Sequence, residues 1–283
     1  MPELSKAHYN RAVAVASRLS GLKETRYVLL IGSVADGTAD EFSDIDLLVL
    51  YEEEPTEVII AACLGKDAVS KFRHGEFHFD VGHTIDGIPS GVMFTPAERI
   101  EEFVGSYPDI SHEAYGELSR YIVNGMMLHG DQEEFSSWRA KCERVPETMK
   151  RDTIANVMGS LNFYFRGGSL LQLARRGDWI MVSRTLGECV LGILRVIYLL
   201  NDRVMVKPKQ TRVEMESFSK KPHGISDRLE ALYLLKNTVA DVGTKVAEVI
   251  RIFDELHALI QADPVTIDAW VPRAQREKAI IGS

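Results

Sequence analysis

Gly32-Ser33 is followed, after ten residues, by Asp44-Ile45-Asp46 and then at once by the apolar run Leu47–Leu50. Residues two apart in a strand share a face, so Asp44 and Asp46 project together while Ile45 packs behind them. Two carboxylates on one face repel each other unless a divalent cation sits between them, and oxygen ligands of this kind suit Mg²⁺. Such a pair can hold one or two Mg²⁺ ions beside a nucleoside triphosphate, where they stabilise the attacking and leaving oxygens of an in-line displacement. Gly32, with no Cβ, lets the backbone N–H groups around Ser33 approach phosphate closely.

Three other stretches carry residues able to take part. Glu76 to Val81 alternates, with Phe77, Phe79 and Val81 on one face and Glu76, His78 and Asp80 on the other, a strand with an apolar back and a polar front. Asp80 is the leading carboxylate there and Glu76 the runner-up. His78 is either structural or at the mouth of a site. In Asp178 to Leu200, Arg184, Glu188 and Arg195 fall on one helical stripe, either an ion-pair seam or a patch facing substrate. The loop Arg203 to Lys209 is basic, and Lys207 and Lys209 are either solvated or within reach of triphosphate oxygens.

The elements that must position these residues follow from periodicity. Tyr27–Ile31 is an apolar run, so the central motif reads as strand, polar turn, strand. Leu4 to Leu19 has helical spacing and stops before Gly21. Helices are expected over Glu57 to Phe72 with a break at Gly65, over Thr95 to Phe103 with Thr95 as N-cap, over Ser111 to Leu128, and over Gln132 to Glu143. Past Val145-Pro146 strand-like alternation disappears. Helical periods then run through Thr148–Arg176, interrupted at Gly167-Gly168, through Asp178–Leu200, and through Ile225–Ala262 with a joint at Gly243. Trp270 is expected to dock the tail from Asp263 to Ser283.

The pattern strand, Gly-Ser, ten residues, Asp-x-Asp, apolar strand resembles the signature of the polymerase-β-like nucleotidyltransferase superfamily. It is most similar to the branch of bacterial aminoglycoside and minimal nucleotidyltransferases. The resemblance implies an α+β fold: a catalytic domain over 1–145 built on a mixed sheet with helices, then an all-α helical bundle over 146–283 that binds substrate. It implies Mg²⁺, as two ions, and ATP as co-substrate, with AMP moved onto a hydroxyl of a small-molecule acceptor and pyrophosphate released. Asp44, Asp46 and Asp80 would be the metal ligands, the third from a neighbouring strand. Asp80 would also serve as an alternative for the general base. Gly32 and Ser33 would bind the nucleotide phosphates. The segment from Arg184 to Asp202 resembles the helix that presents a carboxylate to the acceptor, which would be Glu188. A protein or tRNA acceptor and a non-catalytic nucleotide-binding module are the alternatives.

Composition is consistent with this. The 283 residues allow one large or two modest domains. The net charge of −8 disfavours DNA and suits a polycationic acceptor. Three widely spaced cysteines form no disulfide or zinc pattern, which together with an N-terminus unlike a signal peptide fits the cytoplasm. No segment is apolar for long enough to cross a membrane.

Overall fold

The computed structural model describes residues 3–65, 69–74, 78–166, 168–205 and 211–263. The chain divides into two compact units, Met1–Arg144 and Val145–Ser283. The first opens with helix α1 (Glu3–Leu19), strand β1 (Thr25–Ile31) and a 3₁₀ turn, Gly32–Val34. Strand β2 (Ile45–Tyr51), helix α2 (Glu57–Leu64) and strands β3 (Val69–His74), β4 (His78–Ile85) and β5 (Ile88–Pro96) follow. Helices α3 (Ala97–Ser106) and α4 (His112–Leu118) lead into a π-helical turn, Ser119–Val123, then strand β6 (Met126–His129) and helix α5 (Gln132–Cys142).

The six strands make one mixed sheet in the order β3-β4-β5-β2-β1-β6. Among the described residues only β2 and β5 run parallel. Alternation gives the sheet two faces. Val28, Leu30, Leu47, Val49, Phe79, Val81, Val92 and Phe94 pack with Ala12, Val15 and Leu19 of α1 and Ile60 and Leu64 of α2. Each buried aliphatic side chain in such a layer contributes roughly 1.5–3 kcal/mol. On the other face Tyr27 meets the rings of Phe135 and Trp138 of α5. An ion cluster closes that edge: Arg26 pairs with Glu52 at 3.1 Å, Glu101 at 2.7 Å and Glu134 at 2.9 Å, and the Tyr27 hydroxyl donates to Glu134.

The second unit is helical throughout its described residues: α6 (Glu147–Arg166), α7 (Ser169–Arg175), α8 (Trp179–Leu200), α9 (Thr211–Ser217), α10 (Ile225–Tyr233) and α11 (Val239–Ala262). Helix α8 is its centre, packed against α6, α7, α10 and α11. Leu186, Val190, Ile193 and Ile197 form its buried side. Asp178 caps it by accepting from Met181 N at 3.2 Å. The α+β expectation is borne out.

Several elements differ from expectation. Residues 69–72 are strand, not helix: Gly65, at φ 96°, ends α2, and the chain then pairs with β4 as an edge strand. The expected helix over 111–128 stops early. Its last residues form β6, because Leu29 and Leu30 of β1 offer an open edge to Met127 and Met126. Thr95 is buried in β5 instead of capping α3, and Pro96 takes the capping position. The joint in the last helical stretch lies at 234–238, where Thr238 caps α11 through Asp241 N, and Gly243 lies inside the helix. Trp270 lies outside the described residues, and no described helix is long and apolar enough to cross a membrane.

Candidate active site

The turn after β1 and the start of β2 are built against each other. Ile31 and Asp46 are cross-strand partners, which brings Gly32 over the Asp46 side chain. A Cβ on Gly32 would lie 2.6 Å from Asp46 Oδ2, and the residue sits at φ +72°, a left-handed conformation that L side chains resist. On the other flank Asp46 pairs with Gly91 of β5, where a Cβ would come 3.4 Å from Oδ1. The carboxylate therefore lies between two positions without side chains. Ser33 follows in the turn, its Oγ buried and without a hydrogen-bond partner among the described residues. Asp36 N donates to Gly32 O at 3.0 Å and Thr38 N to Ser33 O at 2.9 Å, which fixes the turn.

Asp44 stands one residue before β2. Ile45 is fully buried in the core behind the sheet, so strand alternation places Asp44 on the side of Asp46. The connection into Asp44 is itself ordered by hydrogen bonds within Asp40–Ser43.

Asp80 shares the face of Asp46 but not its neighbourhood. Across the sheet Asp46 is level with Gly91 and Gly82, while Asp80 is level with Met93 and Leu48, two residues along. The resemblance implied a third carboxylate on the strand beside β2. That strand is β5, and Asp80 lies on β4, one further. The cause is the hairpin β4–β5, closed at Asp86-Gly87 with both residues at positive φ, which lays β5 against β2 and moves β4 outward. At about 4.8 Å between strands, Asp80 is roughly 10 Å across the sheet from Asp46. Among the described residues, no group of three or more His, Cys, Asp or Glu side chains is placed to hold a metal ion. Mg²⁺, however, is commonly held by one or two carboxylates plus substrate phosphates. The Asp44–Asp46 pair and the two glycines that flank Asp46 fit that arrangement.

Helical reading of 111–128 concealed one neighbour. Tyr121, in the π-helical turn, is 4% exposed, and its hydroxyl lies 3.3 Å from Met93 Sδ, beside the cross-strand partner of Asp80. Burial pushes the phenol up to about 12, helped by Glu117 and Asp80 and opposed by Arg120 and Arg99. It is a neutral donor at any physiological pH. The turn is held by Arg139, whose Nε donates to Ile122 O at 3.0 Å and whose Nη2 donates to Gly125 O. Gly125 is obligatory: a Cβ there would meet Tyr121 O at 2.1 Å. No spacing signal in the sequence marks this segment.

The match to known families follows this geometry. Residues 15–90 match the model of the nucleotidyltransferase domain. The chain carries a nucleotidyltransferase domain of the polymerase-β-like superfamily. The matched stretch of that domain contains Gly32, Ser33, Asp44, Asp46 and Asp80. A second match, to a domain of unknown function (DUF4037), covers residues 116–209, from α4 past the end of α8. Comparison with curated proteins gives no match. Among solved structures, a nucleotidyltransferase-like protein from Exiguobacterium sibiricum 255-15 is similar at 12% identity and a TM-score of 0.44, over 95% of this chain and 79% of that one.

The remaining candidates are placed as follows. His78 is the first residue of β4, with its side chain outside the described ones, and Glu76, Lys207 and Lys209 also lie outside the described residues. Within the second unit Glu188 is paired with Arg184, Oε1 to Nε at 2.8 Å, both side chains exposed, and Arg195 is exposed on the same helix. The stripe on α8 thus contains an ion pair.

Proposed function

We propose that this protein transfers a nucleotidyl group, AMP from ATP, to a hydroxyl of a small-molecule acceptor and releases pyrophosphate. The observation that carries the reading is the contact of Asp46 with Gly32, which joins the phosphate-facing turn to the Asp44–Asp46 pair. Backbone N–H groups around Gly32 and the Ser33 hydroxyl bind the phosphates. Asp44 and Asp46 would hold Mg²⁺, which would offset charge on the triphosphate oxygens. The acceptor oxygen attacks the α-phosphorus, a new P–O bond forms, and the bond to the β-phosphate oxygen breaks in line. Asp80 takes the acceptor proton. What favours Asp80 over Glu188 as base is its place on the face of Asp46, and the ion pair that Glu188 would first have to break. Positioning and charge neutralisation supply most of the rate, as in related phosphoryl transfers.

The acidic charge of −8 favours a cationic acceptor, with aminoglycoside-like compounds the leading class. Purified protein is incubated with Mg²⁺ and α-labelled ATP, with and without a panel of aminoglycosides and lincosamides. Label on one compound together with pyrophosphate establishes the reading. Label on a protein or RNA fraction instead replaces the small acceptor by a macromolecule. ATP binding with no transfer to any fraction leaves a nucleotide-binding module. Asp44→Asn and Asp46→Asn should each lower pyrophosphate release at least a thousandfold with unchanged melting temperature, and wild-type turnover in either variant would remove both from the mechanism.

A further inference from the structure

Phe42 is the most exposed large hydrophobic side chain among the described residues, at 86%. A single exposed apolar residue is ordinary on a protein surface. Two observations set this one apart. Its backbone is pinned: Asp40 Oδ1 accepts from Phe42 N at 3.1 Å and from Ser43 Oγ at 2.8 Å, and Ser43 Oγ accepts from Asp40 N at 2.9 Å. Ser43 N donates to Asp40 O at 3.1 Å, so the ring is carried on a closed turn and not on a free loop tip. Its place is the second: the turn connects the Gly32–Ser33 segment to Asp44, and two residues of chain span at most about 7 Å. A planar apolar side chain thus stands in the open two residues from Asp44, on a backbone fixed by the turn.

We propose that Phe42 is a stacking platform for the base of the bound nucleoside triphosphate, an inference that rests on the nucleotidyl-transfer reading above. A triphosphate anchored at Gly32–Ser33 and Asp44–Asp46 would carry its nucleoside out of the phosphate site toward solvent, and a flat ligand group of that kind is what an exposed phenyl ring on a closed turn accommodates. Every base has a π-face, so stacking adds affinity with little selectivity among bases. The ring supplies affinity for nucleotide over bare polyphosphate, and base identity is read elsewhere.

The test needs no acceptor. Calorimetry compares Mg²⁺-ATP with Mg²⁺-tripolyphosphate on wild type, Phe42→Ala and Phe42→Trp. Stacking of one base is typically lost as a 5- to 150-fold drop in affinity. Phe42→Ala should weaken ATP by that factor and leave tripolyphosphate unchanged. Phe42→Trp should retain ATP affinity, with indole fluorescence quenched by ATP and not by tripolyphosphate. Equal ATP affinity in wild type and Phe42→Ala overturns the inference while leaving the phosphate site in place. Parallel loss of both ligands in Phe42→Ala also overturns it, since the ring would then be supporting the turn. A wild type that binds neither ligand removes the nucleotide reading, and the inference with it.

Discussion

At the scale of residues, the site depends on what is missing as much as on what is present. Gly32→Ala forces a Cβ into a left-handed residue, at a cost of about 1–2 kcal/mol, and drives it onto Asp46 Oδ2. We expect pyrophosphate release to fall at least a hundredfold while a thermal melt registers only that modest loss. Near-wild-type release would mean that Asp46 has room to move without consequence. The Gly-Ser and Asp-x-Asp spacing was legible in the sequence because side-chain chemistry and strand periodicity both point to it. Gly91 was not, since a glycine on a partner strand acquires meaning only once the register pairs it with Asp46. A second residue sets acid sensitivity. Hydrogen bonding from the Tyr27 hydroxyl, then from Arg26, holds the Glu134 carboxyl below its ordinary 4.5, against the opposing effect of burial. A carboxyl depressed in the folded state stabilises above its unfolded value and ceases to do so as pH falls through the folded one. Urea melts of Glu134→Gln should therefore lose stability relative to wild type at pH 7 and converge with it as pH falls through the depressed carboxyl pKa, and a difference constant with pH would contradict this.

At the scale of elements, periodicity succeeded where an element buries one clear face and failed where tertiary pairing decided. Helix α8 was readable from Leu186, Val190, Ile193 and Ile197. Strand β6 was not: Met126, Met127 and Leu128 fit a helix equally well, and the open edge of β1 makes them a strand. Residues 69–72 changed in the same way once β4 was available to pair with them. The π-helical turn is the element that brings Tyr121 to the sheet face, and Arg139 is what holds it. Arg139→Met leaves Ile122 O and Gly125 O without that donor, which should cost about 1–3 kcal/mol in a denaturant melt. Retained stability would show that water takes over both carbonyls.

At the scale of the whole molecule, each unit has its own core, and we expect calorimetry to resolve two transitions. Arg139→Met should lower one of them. Lys150→Met should lower the other, because Lys150 is 3% exposed and pairs with Asp202 at 2.8 Å and Asp263 at 3.7 Å. Asp202 is largely exposed and Asp263 keeps Lys220, so the loss is that of a charged hydrogen bond from a buried donor, about 1–3 kcal/mol. If both variants shift a single transition together, the units unfold as one. The same cluster carries a topological consequence. Lys150 lies in the first turn of α6 and Asp263 follows the last turn of α11, with Lys220 bonded to Asp263 at 2.9 Å. The described helices of this unit therefore finish, at Asp263, beside the first turn of α6. A short linker from residue 263 to residue 147, with new ends opened at 234–238, should give a circular permutant with native helix content. In architectural terms the stretch from α6 to α11 is a bundle whose first and last described turns are fastened to each other.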